Sequence, residues 1–246
     1  MKAKKLSVIG RTILVLAMLW GFANFITHSD VGNYDKTAPK ISGQRQTLRN
    51  NYISPSVNIE RRIAGHDQDM DEIDDLADIV KGARTEVERS PRYVSTYYSG
   101  GYPPVSEGVC TDVIWRAFRE AGYDLKGMVD KDIASNPAAY PRVEGAPDPN
   151  IDFRRVPNLV SFFKRHASIL SIKVVPNNIG NLSLWQGGDI VVYGAPLWHI
   201  GIVSDKRRDD GVPLLIHNGG PYAAENDMLL DWPSPIIYHF RFPGGN

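Results

Sequence analysis

The sequence is nearly devoid of cysteine, carries no excess of either charge, and has no long apolar run beyond its first residues. A single cysteine, Cys110, excludes an internal disulfide. With 28 basic and 28 acidic residues, the chain has no electrostatic footprint for nucleic acid. That balance hides an asymmetry. Lys2, Lys4, Lys5 and Arg11 fall within residues 1–26, which contain no acid, so the remainder has 24 basic against 28 acidic residues. Internal repeats and low-complexity tracts are absent. So is compact His-x-x-x-His metal spacing, which argues against zinc held by Asp189, His199 and His217. Asp189 follows two glycines, where a turn-capping aspartate is the commoner role. No metal or cofactor is expected.

What is present begins with a targeting pattern. Basic residues precede the apolar run Thr12–Trp20, and Gly21-Phe22-Ala23 follows as a small-x-small cleavage site. The run is short for a bilayer span and suits a signal peptide, with an uncleaved N-terminal anchor as the alternative. Membrane contact is expected through this segment alone. Residues 27–70 are polar, lack a sustained period, and read as a linker. Residues 71–246 read as the folded domain. An exported chain places its lone thiol in an oxidising compartment without a disulfide partner, which favours a chemical use for it.

Within the domain the hydrophobic period changes once. A helix is expected from near Asp71, with Ile73, Leu76, Ile79, Val80, Ala83 and Val87 on one stripe, ending at Pro91. An extended segment follows at Tyr93–Tyr98. A second helix carries Val113, Ile114, Ala117 and Phe118, a third spans Asp130–Ala139, and a fourth opens at Pro157. Strands are then expected at Asp189–Tyr193, Trp198–Val203, Pro213–His217 and Ile236–Phe240. Short turns between them imply an antiparallel meander. Helices first and strands after give an α+β domain.

Cys110 sits where a glycine-marked loop enters the second helix. The first-turn N–H groups and the dipole there favour a thiolate, against the bland reading of a small buried hydrophobe. A nucleophile needs a base within reach, held by a third group. Of six histidines, His28, His66, His166 and His239 have ordinary readings. His199 starts one strand and His217 ends the next, so the two meet at one rim of an antiparallel pair. Asn218 is an alternative orienter, but adjacent strand residues face opposite sides, so only one of His217 and Asn218 can face His199.

The ordered segments Tyr98–Gly101, G-V-C-T-D (108–112), P-D-P-N-I-D-F-R-R-V-P-N-L (147–159), G-D-I-V (188–191), H-I-G-I-V-S-D (199–205) and H-N-G-G (217–220) resemble a known family. They are similar to the NlpC-type papain-like cysteine peptidases and amidases, and more closely to the bacterial domain of unknown function numbered 1287. The resemblance spans residues 72–242. It implies a papain-like fold with Cys110 as nucleophile, His199 as general base and acid, and His217 as orienter. It also suggests Tyr98 as a substrate-facing residue. Arg154 and Arg155 either pin the long loop or bind a substrate carboxylate. The family's usual D-C-S-G is V-C-T-D here, and Phe153 stands where the closer branch often has histidine. Asp112, in the first turn, would oppose a thiolate. The expected activity is an exported cysteine hydrolase cleaving amide bonds in peptidoglycan peptides, periplasmic or anchored to the outer face of the inner membrane. The alternatives are a cell-wall-binding domain without turnover and an acyltransferase or transpeptidase using the same thiol.

Overall fold

A computed structural model describes residues 57–63, 65–143 and 145–244. The expected targeting segment and most of the expected linker lie outside them. The elements in chain order are α1 (Asp75–Arg89), β1 (Arg92–Tyr93), β2 (Glu107–Gly108), α2 (Cys110–Glu120), α3 (Leu125–Ser135), α4 (Val156–His166), β3 (Ser168–Ile169) and α5 (Ile179–Leu182). Then come β4 (Ile190–Tyr193), β5 (His199–Arg207), β6 (Pro213–Asn218), β7 (Ala223–Asn226) and β8 (Ile236–Arg241). The result is a mixed α+β architecture with helices on an antiparallel sheet, as the change of period implies. Among the described residues no helix is long and apolar enough to cross a membrane.

The main sheet has the order β3-β8-β4-β5-β6-β7, antiparallel throughout. The meander β4-β5-β6 is as expected. The last strand returns to the far side of β4, which leaves β7 as an edge. Two strands of this sheet, β3 and β7, were not anticipated, nor was β2 outside it. β3 is only two residues long. β7, Ala-Ala-Glu-Asn, has no alternating apolar pattern.

The helices start and stop where local chemistry dictates, with several shifts from the sequence reading. α1 begins at Asp75 because the Asp74 side chain caps Leu76 N–H at 3.2 Å. It ends at Ser90, in the left-handed region at φ 51, just before Pro91. The Tyr93–Tyr98 stretch contributes only β1, paired in parallel with β2. The third helix starts earlier than expected, at Leu125, and gives way to a 3-10 turn at Pro137–Ala139. The packed body also starts before Asp71. Val57 is buried, and Arg62 N–H donates to Gln186 Oε1 at 3.0 Å.

α2 is the centre of the helical layer. Cys110 through Phe118 are all buried. Ile114, Ala117 and Phe118 pack with Ile79, Ala83, Ile200, Ile202 and Ile216 in one core. Each such aliphatic or aromatic side chain contributes roughly 1.5–3 kcal/mol on burial. Arg116 binds Glu86 of α1 at 2.5 Å, with both side chains nearly inaccessible. α2 is therefore wedged between α1 and the β5–β6 pair, and its N-terminus is fixed at the sheet.

Candidate functional site

Cys110 is the first residue of α2, as its spacing implied, and is buried. Its sulfur lies against the backbone N–H of Ile200, the residue after His199, and against the N–H groups of Cys110 and Thr111. The expected lowering of its pKa by the helix terminus does not result. Burial pushes the thiol up to about 12, beyond what the Ile200 donor restores, and the Asp112 carboxylate adds to the rise. At neutral pH Cys110 is a thiol.

His199 and His217 are brought together. Nε2 of His199 lies 2.7 Å from Nδ1 of His217, and the rings meet edge to face with centroids 4.9 Å apart. The pairing register explains how. Ile202 faces Ile216 across β5–β6, and continuing that register sets Gly201 opposite His217. His199 is then a diagonal neighbour. A Cβ at Gly201 would lie 3.2 Å from His217 Cβ and 2.8 Å from Leu215, so glycine leaves room for the crossing.

The chain of contacts continues to a residue that sequence reasoning missed. Nε2 of His217 lies 3.1 Å from Asn226 Oδ1 on β7. An amide oxygen only accepts, so His217 donates from Nε2 and keeps a lone pair on Nδ1. His199 then donates from Nε2, which leaves its own Nδ1 without a hydrogen-bond partner among the described residues. Asn226 thus sets the tautomer of both rings. Asn218, the alternative orienter, is turned away. Its Nδ2 donates to the carbonyls of Pro91 at 3.2 Å and Gly108 at 3.3 Å, because successive strand residues alternate in direction.

Burial and the neighbouring His217 lower the His199 pKa to about 3. Burial lowers that of His217 as well, against the pull of its bond to Asn226. Trp232 covers His199 in a parallel stack, centroids 3.8 Å apart and planes at 13°. Neither Trp232 nor Asn226 was visible as a partner in the sequence, since each lies outside the strands that could be read. Tyr93 was missed too. Burial raises its pKa, and Cys110 and then Asp112 add to the rise.

The residues flanking Cys110 are bound to one partner. Arg154 reaches Asp112 with two parallel bonds of 2.8 Å, and Thr111 Oγ1 donates to the Arg154 carbonyl at 3.1 Å. Asp112 also accepts from Val109 N–H and Trp115 Nε1, both at 2.8 Å. Its charge is therefore matched and its lone pairs are used. The Thr-Asp pair at the helix start and the Arg154 segment form one unit. Arg154 additionally donates to Thr96 O at 2.9 Å and is 7% exposed, so it pins the loop and presents no face to a substrate carboxylate. Arg155 bonds to the Arg142 carbonyl and to Asp152 at 3.1 Å, bridging the same loop. The Tyr98 hydroxyl donates to Glu107 at 2.7 Å, and its ring lies 5.0 Å from the Arg154 guanidinium. Phe153 is fully buried. Asp189 binds His239 at 2.8 Å and Arg241 at 2.7 Å, so it is not in a cluster with His199 and His217.

Fold and site define an α+β domain with a buried thiol at the start of α2 and a hydrogen-bonded pair of imidazoles on β5 and β6. The chain belongs to the family described as domain of unknown function (DUF1287), whose model matches residues 80–242. It is 42% identical to the uncharacterized protein YijF of Escherichia coli (strain K12) over 172 residues, covering 67% of this chain and 80% of that one. No solved structure matches it significantly.

Proposed function

We propose that this protein is a cysteine hydrolase of the NlpC-type papain-like class, cleaving amide bonds in peptidoglycan peptides after export. The observation that carries the reading is the one-directional relay Asn226–His217–His199. It leaves a bare imidazole nitrogen, His199 Nδ1, on the residue adjoining the Ile200 N–H that the Cys110 sulfur faces.

In the resting site both thiol and imidazole are neutral. As the sulfur forms its bond to the substrate carbonyl carbon, its proton passes to His199 Nδ1. The positive charge that appears on His199 is stabilised through its Nε2–H bond to His217, which Asn226 holds in place. The Cys110 N–H would receive the developing oxyanion. His199 then returns the proton to the leaving amine as the carbon–nitrogen bond breaks. A water, deprotonated by the same nitrogen, hydrolyses the thioester and regenerates the thiol. Trp232 fixes the ring plane throughout. The substrate class rests on the export signal and the family likeness, a weaker support than the side-chain arrangement.

Purified protein incubated with cell-wall sacculi should release peptide fragments detectable by mass spectrometry. Cys110→Ala and His199→Ala should each abolish that release. Identical fragments from wild type and both variants would reject the hydrolase. Transfer of the acyl group to an added amine in preference to water would replace it with a transpeptidase.

A further inference from the structure

The outer face of α2 opens onto a cavity of about 570 Å³. Trp115, Arg116 and Arg119 line it, and the 3.6-residue period sets them on the far side of the helix from Cys110, Ile114 and Ala117. The cavity is therefore apart from the thiol site. Its other walls are the loop at Tyr102 and Pro103 and the turn from Tyr123 into the first residues of α3. The volume falls in the range of small-molecule sites, about 300–1,000 Å³.

The floor is aromatic. The Tyr102 ring lies 4.8 Å from that of Trp115 and 5.6 Å from that of Phe153, between centroids, yet Tyr102 stays 46% exposed. Trp115 turns its indole N–H inward to Asp112 at 2.8 Å. Arg116 is occupied as well, by Glu86 and by the carbonyls of Pro104 at 3.1 Å and Glu107 at 3.0 Å. An apolar ring laid on Tyr102 would cover surface that the fold itself leaves open.

The charges at the rim choose the ligand. Three further charged side chains line the cavity: Arg119, Asp124 and Lys126. Lys126 is paired with Asp130 at 2.6 Å. Arg119 places its guanidinium 5.1 Å from the Trp115 ring centroid, and Asp124 uses Oδ1 to cap α3 at Gly127 N–H, 3.0 Å away. Among the described residues neither Arg119 nor Asp124 has an ion pair, with the other or with any third residue, and Asp124 Oδ2 accepts no hydrogen bond. One positive and one negative group are thus left unmatched beside an aromatic floor. A singly charged ligand would satisfy one of them and face the other with like charge.

The geometry points to a binding site for a small zwitterion with an aromatic side chain, an amino acid or a dipeptide. Its carboxylate meets the fork of Arg119, its ammonium meets Asp124 Oδ2, and its ring lies on Tyr102. The site is independent of the hydrolase reading.

L-phenylalanine and glycyl-L-phenylalanine should be titrated calorimetrically into the full chain, alongside phenylalaninamide and N-acetylphenylalanine. At least one zwitterion should bind, about tenfold or more tighter than the derivatives that lack one charge. Arg119→Gln should bring the zwitterion down to the level of the amide and leave amide binding unchanged. Asp124→Asn retains a good α3 cap. It should bring the zwitterion down to the level of the N-acetyl form and leave that form unchanged. A merely structural role for either residue would not sort ligands by charge. Tyr102→Ala should weaken all four ligands. Cys110→Ala should bind as wild type does, which separates binding from any turnover of the dipeptide. Absence of heat with both zwitterions at millimolar concentration would overturn the site. So would zwitterions that bind no tighter than the singly charged forms, or Arg119 and Asp124 variants that bind as wild type does.

Discussion

Two histidines in this sheet are packed alike and wired differently. His199 stacks on Trp232 with centroids 3.8 Å apart, and His239 stacks on Trp185 at the same 3.8 Å. Both rings are buried. The difference lies in what the ring nitrogens meet. His239 faces oxygen acceptors at both, the Ser171 carbonyl at 2.9 Å and Asp189 at 2.8 Å, and Arg241 completes the ion cluster. Every hydrogen-bonding position on that ring is spent. His199 has one nitrogen committed to His217 and the other left bare. Packing alone therefore does not mark a reactive histidine. An unspent nitrogen with a fixed lone pair does, and of these two rings His199 has one.

The largest expected effect separates these two sites directly. His199→Ala should lower the proposed hydrolysis by about 10³-fold or more and leave the unfolding midpoint close to that of wild type. His239→Ala should do the reverse. It removes a hydrogen-bond partner from the buried Asp189–Arg241 pair and should cost about 1–3 kcal/mol, read from urea unfolding, with the activity of the folded fraction largely intact. A stability loss at His199 matching that at His239 would erase the distinction.

The next effect concerns the proposed nucleophile. The Cys110 pKa is raised, so the thiolate is scarce at neutral pH and grows as pH rises toward about 12. Alkylation by iodoacetamide should be slow at pH 7 and increase about tenfold per pH unit into the alkaline range. Rapid labelling below pH 8 would show that the helix start outweighs burial. A smaller effect is expected from Asn226. Asn226→Ala keeps both histidines but frees their tautomers, and should cost about 10²-fold in rate with little change in stability.

Much of this was legible in the sequence, for reasons that particular residues make clear. Cys110, His199 and His217 each adjoin an apolar pattern of definite period, so element and position could be read together. The sheet rim then followed from antiparallel pairing. Asn226 could not be read that way. β7 is a short edge strand of Ala and polar residues, held by pairing with β6 and by Glu225, which binds Arg84 at 2.7 Å and Lys206 at 2.6 Å. Those contacts span more than a hundred residues in one case and leave no local signature. Arg154 and Asp112 are likewise 42 residues apart, so the neutralisation of Asp112 was invisible while its proximity to the thiol was plain. The boundary of the packed body was missed because Val57 and Ile59 anchor a segment that is otherwise polar. The helix-start argument for an acidified thiol failed for a quantitative reason: the desolvation of Cys110 exceeds what its N–H donors supply.

The central claim is that Asn226 sets a relay ending in a bare nitrogen on His199. Long-range proton–nitrogen correlation spectra of the imidazole rings at neutral pH test this most directly. The relay predicts neutral rings for both His199 and His217, each with its proton on Nε2, and loss of that single tautomer in Asn226→Ala. A proton on Nδ1 of His199 in the wild-type protein would contradict it.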